Sequence, residues 1–231
     1  MPAYTVAGEP IPGERGLRLP GYPGGTARAG NRVTGQFQLD GLGESLQLFA
    51  AAARLDMLAE ENWQAAATAA ESIEKRWHEP DAGIWELDDR YWTHSRLACV
   101  SGLRSLAAAA DGPPGGPGHR QAARWSALAD SLLASLGDAV HPAGRWQRTP
   151  QDPRVDAALL PVIRGTLPAE DPRSRATMGA VQDELTEDGY VYRFRHDARP
   201  LHKSEGAFLL CGFWMAQAAQ ACGDGDSRSP Q

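Results

Sequence analysis

The segment WHEPDAGIWELDDRYWTHSR (77–96) sets one carboxylate, Glu86, directly after Trp85, with Trp77, Tyr91 and Trp92 close by in sequence. Aromatic faces stack on sugar rings. Apolar surroundings move a carboxyl group toward holding a proton at neutral pH. Together these are what protonating a glycosidic oxygen asks of a general acid. The same residues also fit a plainer turn between two helices, with packed tryptophans and a solvated glutamate, and taken alone the segment favours that plainer reading.

The elements that must position this turn read as helices. After Gly43, Leu46, Phe49, Ala53 and Met57 recur on one face. Further helices are expected over about 60–77, 92–110 and 120–140, with a flexible loop at 111–119. Another starts near Pro153 and is limited or kinked by Pro161. Asp171 is an N-cap with Pro172 in the first turn of the next, and a last helix covers about 204–222. Only GYVYRFRH (189–196) alternates well enough for a strand, and it fits an extended loop equally. Residues 1–35, rich in Gly and Pro, read as an irregular arm. Residues 36–222 read as the helical domain and 223–231 as a disordered polar tail.

Glycine followed by an aromatic or apolar run recurs as GIWE (83–86), GRWQ (144–147) and GYVYRF (189–194), each between helices. This suits a helical-hairpin repeat whose turns collect at one end of a toroid and line a pocket. About seven helices do not close a ring of six hairpins.

Composition narrows the partners. Of 231 residues, 42% are hydrophobic and seven are tryptophan, enough for a sizeable core. The net charge is −6 and the basic residues are scattered singly, which argues against a nucleic-acid partner. Cys99, Cys211 and Cys222 are too few and too irregular for a metal site or a disulfide framework. The opening MPAYTVAGEP lacks a secretory signal pattern, and no apolar run reaches membrane-spanning length. The chain reads as soluble and cytoplasmic, with no cofactor required by its residues.

Five stretches then carry a resemblance, in order: GYPGGTARAGNRVTGQFQLDGLGESL, WHEPDAGIWELDDRYWTHSRLAC, VDAALLPVIRGTLPAEDPRSRATMGAV, EDGYVYRF and SEGAFLLCGFW. They resemble glycoside hydrolase family 15, the glucoamylase and bacterial trehalase-like enzymes, over about residues 19–222. The resemblance implies an all-α fold, an incomplete (α/α)6-barrel of about seven helices with little or no β structure. It is similar to the C-terminal part of the family's catalytic barrel, truncated at both ends.

By motif, the resemblance implies inverting cleavage of α-glucosidic bonds, with Glu86 as general acid, Arg193 hydrogen-bonding sugar hydroxyls and Trp85 walling the subsite at the scissile bond. Gln38, Asp40 and Glu205 fall in motif segments expected at the barrel mouth and are candidate binding residues. Asp40 fits a charge at a helix N-terminus as well. An inverting enzyme also needs a general base about 6.5–9.5 Å from the acid. The family's EEYDP and GNFPQAFSH segments, where that base lies, have no counterpart here. The expectation is therefore a glycosidase-like domain that belongs to a larger enzyme and is inactive alone, unless Glu205 or a complementary chain supplies the base. The alternative is a non-catalytic carbohydrate-binding or degenerate member. Uncovered barrel helices would expose an apolar patch and favour self-association or pairing.

Overall fold

The protein is described by a computed structural model that covers residues 3–20, 26–110, 117–164, 171–196, 200–201 and 205–223. Among the described residues there are six α-helices: α1 (Leu39–Arg54), α2 (Glu60–Arg76), α3 (Thr93–Ala110), α4 (Pro117–Ala134), α5 (Pro172–Leu185) and α6 (Leu209–Ala221). Two small antiparallel hairpins complete the architecture. One pairs β1 (Arg15–Pro20) with β2 (Thr26–Ala29), so a hairpin lies within the stretch expected to be irregular. The other pairs β3 (Thr186–Glu187) with β4 (Tyr190–Val191). Its turn, Asp188-Gly189, has φ of 53° and 80°, the left-handed pair that a tight hairpin requires and Asp-Gly tolerates.

Helix α3 organises the core because it is buried almost all round. Cys99, Val100, Leu103 and Leu106 pack with Leu39 and Leu46 of α1, Ala66, Ala70 and Ile73 of α2, and Trp125, Ala129 and Leu132 of α4. Leu97 and Ala98, on another face, join a second cluster with Trp146, Leu159, Leu160, Val181, Val191 and Cys211. The crossing of α1 and α3 depends on two glycines. A Cβ on Gly43 would lie 2.5 Å from the backbone of Ala98 and Cys99, and one on Gly102 would lie 2.2 Å from the Gly43 carbonyl oxygen. All three cysteines are buried thiols, not joined in a disulfide with one another.

Several boundaries differ from the sequence expectation for physical reasons. Helix α1 begins at Leu39 and ends at Arg54, leaving Met57 outside and exposed. Its first N–H is capped from afar, by Asp81 Oδ2 at 3.2 Å. The helix expected from Pro153 is replaced by two 3-10 turns, Ala157–Leu159 and Pro161–Arg164. Asp156 caps the first through the Ala158 N–H at 2.9 Å, and Pro161 has no N–H with which to continue a helix. Helix α4 stops at Ala134, where Gly137–Ala139 tightens into a 3-10 turn, and α6 starts at Leu209. Asp171 and Pro172 open α5 as expected, Asp171 accepting from the Arg173 N–H at 2.9 Å. Residues 111–116 of the expected loop, 204 at the expected start of the last helix, and 224–231 of the expected tail lie outside the described residues.

Phe208, Leu209, Leu210 and Phe213 stand exposed at the start of α6. No helix among the described residues is long and apolar enough to cross a membrane.

Candidate active site

Between α2 and α3 the chain forms a loop closed by reciprocal bonds between Asp81 and Arg90, N to O at 2.9 Å in both directions. Inside it, the Glu86 N–H bonds to the Gly83 carbonyl at 3.0 Å and the Leu87 N–H to the Ala82 carbonyl at 2.9 Å. This winds the GIWE residues into a tight turn. Gly83 has φ 65°, and a Cβ there would meet the Trp92 indole at 2.8 Å, so the turn needs glycine twice over. Glu86 itself has φ 52°. A glutamate held in the left-handed region is strained backbone, of the kind that persists where surrounding structure enforces it.

The enforcement comes from three directions. Asp81, fully buried, accepts from the Gly83 N–H (3.1 Å), the Leu39 N–H (3.2 Å) and the Ser95 hydroxyl (2.8 Å), tying the loop to α1 and α3. Arg96 of α3 lies under Tyr91 and donates to the carbonyls of Trp92 (3.2 Å) and Glu79 (3.0 Å). Trp85 donates its indole N–H to Asp156 Oδ1 at 2.8 Å, and its ring packs against Phe194, Phe208 and Trp214.

Glu86 lies in the wall of a cleft of about 520 Å³. The other contributors are Arg32 and Gln36 before α1, Leu87, Asp88, Arg90 and Trp92 of the Glu86 loop, Arg148, Asp152 and Arg154 after the GRWQ turn, and Phe194 and His196 after β4. The three connections that repeat the glycine-aromatic pattern thus feed one cleft. The residues that reach it differ from those expected, because Trp146 of GRWQ is buried in the core. Arg148 holds the floor: Nε donates to Asp156 Oδ2 at 2.9 Å, and its guanidinium sits 4.0 Å from the Phe194 ring centroid and 5.1 Å from that of Trp92.

Charges in the cleft are largely paired. Asp152 takes two bonds from the Arg154 guanidinium, at 2.8 and 2.6 Å. Burial alone would raise its pKa, but Arg154, with Arg148 nearby, outweighs this and holds it below the usual range. Several buried polar atoms beneath the Glu86 turn have no hydrogen-bond partner within the protein: Trp92 Nε1, Arg148 Nη2 and both ring nitrogens of His94. Trp92, His94 and Arg148 border a small inner cavity with Trp85 and Asp156. Burial drives His94 toward its neutral form, against the opposing charges of Glu44, Asp156 and Asp81. Unsatisfied groups gathered under one cleft are a mark of a site where solvent or a polar ligand completes the hydrogen bonding.

The residues singled out from sequence fall into three groups. Glu86 lines the cleft. Trp85, Arg193 and Glu205 form a second group behind it: Arg193 stacks 5.3 Å over the Trp85 ring and makes a two-pronged ion pair with Glu205, Nε to Oε1 at 3.1 Å and Nη2 to Oε2. His196 Nε2 is 3.4 Å from Glu205 Oε2. Burial would raise the Glu205 pKa, yet the Arg193 hydrogen bond and charge outweigh this and lower it. Gln38 and Asp40 sit at the start of α1, outside the cleft lining. Gln38 donates to Gln36 Oε1 at 3.3 Å, and Asp40 is buried, with burial pushing its pKa up to about 6. Arg148, Asp152 and Asp156 were not singled out; Trp92 was noted only as an aromatic neighbour of Glu86, and Phe194 only within the GYVYRF stretch. Among the described residues no cluster of three or more His, Cys, Asp or Glu could hold a metal ion.

The sequence matches glycosyl hydrolases family 15 over residues 1–227. It is 36% identical over 230 residues to a trehalase of Mycobacterium tuberculosis and 34% identical over 230 residues to one of Mycolicibacterium smegmatis, covering 96% of this chain in both cases. A trehalase of Thermoplasma acidophilum is 28% identical over 212 residues, 88% of this chain. The alignments cover 33%, 34% and 36% of those relatives, so the chain spans about a third of their length. Among solved structures, a glycosidase in complex with glucose superposes with a TM-score of 0.69 at 24% identity, over 82% of this chain and 50% of that one. A bacterial glucoamylase complexed with acarbose gives 0.62 at 20%, over 81% and 33%. At these identities the likeness establishes the fold, a partial all-α six-hairpin glycosidase barrel.

Proposed function

The chain belongs to glycosyl hydrolase family 15, and from that premise we propose that it carries the acid side of a site cleaving α-glucosidic bonds, with Glu86 as the general acid. One observation carries the reading: Glu86 is the carboxylate of a strained, triply anchored turn in the cleft wall, facing the stacked Arg148, Trp92 and Phe194. Protonation of the glycosidic oxygen by Glu86 lets the leaving sugar depart as a neutral alcohol. An inverting enzyme meanwhile directs water to the opposite face from a second carboxylate about 6.5–9.5 Å away. Trp85 and Arg193, expected to wall and grip the sugar, stand behind the cleft lining, and in this reading they support the Glu86 turn instead of touching the sugar. Trehalose is the first substrate to test, since the curated relatives are trehalases; maltose and starch follow.

A second reading, carbohydrate binding without turnover, rests on the pairing of Asp152 and Glu205. Asp152 is clamped by Arg154 and Glu205 by Arg193, so neither is free to activate water. For this chain by itself the expected result is sugar binding with little or no glucose release. Azide can then stand in for the activated water: it attacks the anomeric carbon as the glycosidic bond breaks, and Glu86 protonates the departing oxygen. The expected product is β-glucosyl azide, detected by mass spectrometry and NMR, and lost in Glu86→Gln. Equal azide product from Glu86→Gln would exclude Glu86 as the acid. Absence of trehalose and maltose binding by calorimetry would remove both readings.

A further inference from the structure

We infer that Asp156 is a positioning residue that fixes the acid turn and the floor of the cleft relative to one another. The inference rests on the reading of Glu86 as the acid. The residue is 3% exposed, and its two carboxylate oxygens divide their partners between distant segments. Oδ1 accepts from the Trp85 indole N–H at 2.8 Å and from the Ala158 N–H at 2.9 Å, while Oδ2 accepts from Arg148 Nε at 2.9 Å. Trp85 is the residue before Glu86, and Arg148 is the guanidinium sandwiched between Trp92 and Phe194 at the base of the cleft.

The backbone at Asp156 is itself immobilised. Asp156 bridges to Phe194, and the Ala157 N–H bonds to the Arg193 carbonyl at 2.8 Å. One carboxylate therefore connects all three glycine-aromatic connections: Trp85 from the first, Arg148 from the second and, through its backbone, Arg193 and Phe194 from the third. Its partners are charge-assisted or buried donors, the stronger class of hydrogen bond. Nothing else among the described residues bonds to the Trp85 indole N–H or to Arg148 Nε. Loss of Asp156 removes the hydrogen bond that fixes the indole N–H and leaves ring packing alone to hold Trp85, so Glu86 loses its fixed position.

Two substitutions separate the two jobs. In Asp156→Asn the amide oxygen stays toward the Trp85 and Ala158 donors, because two N–H groups face it, and the NH2 group replaces the acceptor of Arg148. In Asp156→Ala both connections are lost. The experiment measures exchange of the Trp85 indole proton by NMR, its resonance assigned by its disappearance in Trp85→Phe. It also follows the azide-dependent rate on trehalose and trehalose affinity by calorimetry, with urea midpoints as a control for folding. The expected result is an indole proton protected in the parent and in Asp156→Asn but exchanging at least tenfold faster in Asp156→Ala. The saturating rate is expected to fall roughly 10- to 100-fold in Asp156→Ala and in Trp85→Phe. The double variant is expected to be no slower than either single one, as for residues acting through one contact. Unchanged indole exchange in Asp156→Ala, or multiplicative losses in the double variant, would overturn the inference and leave Glu86 as acid untouched. A parent chain with no azide product would count against the acid reading, while the exchange data would still decide whether Asp156 holds Trp85.

Discussion

Asp40 offers a stability test whose sign is opposite to that of most carboxylates. It lies in the first turn of α1, 4% exposed, with Oδ1 lacking any hydrogen-bond partner. Burial raises its pKa from the ordinary 3.8 to about 6, against the lowering effect of its own and Gly41's backbone N–H groups. Asp81, close enough to interact electrostatically, is likewise raised to about 6, by burial first and also by the charge of Asp40. The folded protein thus binds the Asp40 proton more tightly than the unfolded chain does. Stability from this group is full below about pH 4, falls as pH rises through the interval from 3.8 to about 6, and is gone above it. At about 1.4 kcal/mol per tenfold in proton affinity, the ionised group costs about 3 kcal/mol at pH 7.5. Asp40→Asn removes that cost and also eases ionisation of Asp81. Thermal unfolding should then show a rise in Tm of up to roughly 6–12 °C at pH 7.5, taking about 2–4 °C per kcal/mol for a chain of this size, and almost none at pH 4. A Tm change of equal size at the two pH values, or a loss at pH 7.5, would refute the argument that Asp40 is a desolvated charge.

Two further outcomes follow from the geometry. Gly83→Ala combines a left-handed backbone with a contact of 2.8 Å to Trp92, so it should lower stability by about 2–4 kcal/mol in urea titrations and displace Glu86; retained stability would mean that the loop relaxes freely. Glu205 has a lowered pKa, so its pair with Arg193 stabilises the fold above the ordinary value of 4.5 and is lost as pH falls through the folded-state value. Glu205→Gln should therefore destabilise by about 1 kcal/mol at pH 7 and have no effect near pH 2, read from urea midpoints at both.

The legible parts of this chain were those whose causes are local. Asp171 and Pro172 announce α5 because capping and the proline ring act within one turn. GIWE announces its turn because Gly83 must adopt a positive φ. What failed to read was set from a distance. VDAALLPVI has helical composition, yet Asp156 spends its side chain on Ala158, Trp85 and Arg148, and Pro161 breaks what could have continued. Trp85 and Asp156 are 71 residues apart, and no periodicity links them. Helix α1 begins before Gly41 and Gly43, residues that in isolation suggest a break, because Asp81 caps it and the close approach of α3 requires glycine. Arg148 is one of the singly scattered basic residues, and Asp152 sits in no local pattern; only the fold turns them into a cleft wall.

The positive φ of Glu86 ties these points together. A strained residue relaxes unless its neighbours cannot move. Here the turn is closed by the Asp81–Arg90 pair, anchored to α1 and α3 through the Asp81 carboxylate, and pinned across the cleft by Trp85 on Asp156. Each anchor is itself buried and held from more than one side, so cutting one lets the turn shift on that side while the others keep it from collapsing altogether. Strain in the Glu86 turn and the buried carboxylates around it are then one arrangement: Asp81 and Asp156 accept the cost of burial at the two points where a hydrogen-bonded carboxylate can reach both the turn and a rigid element.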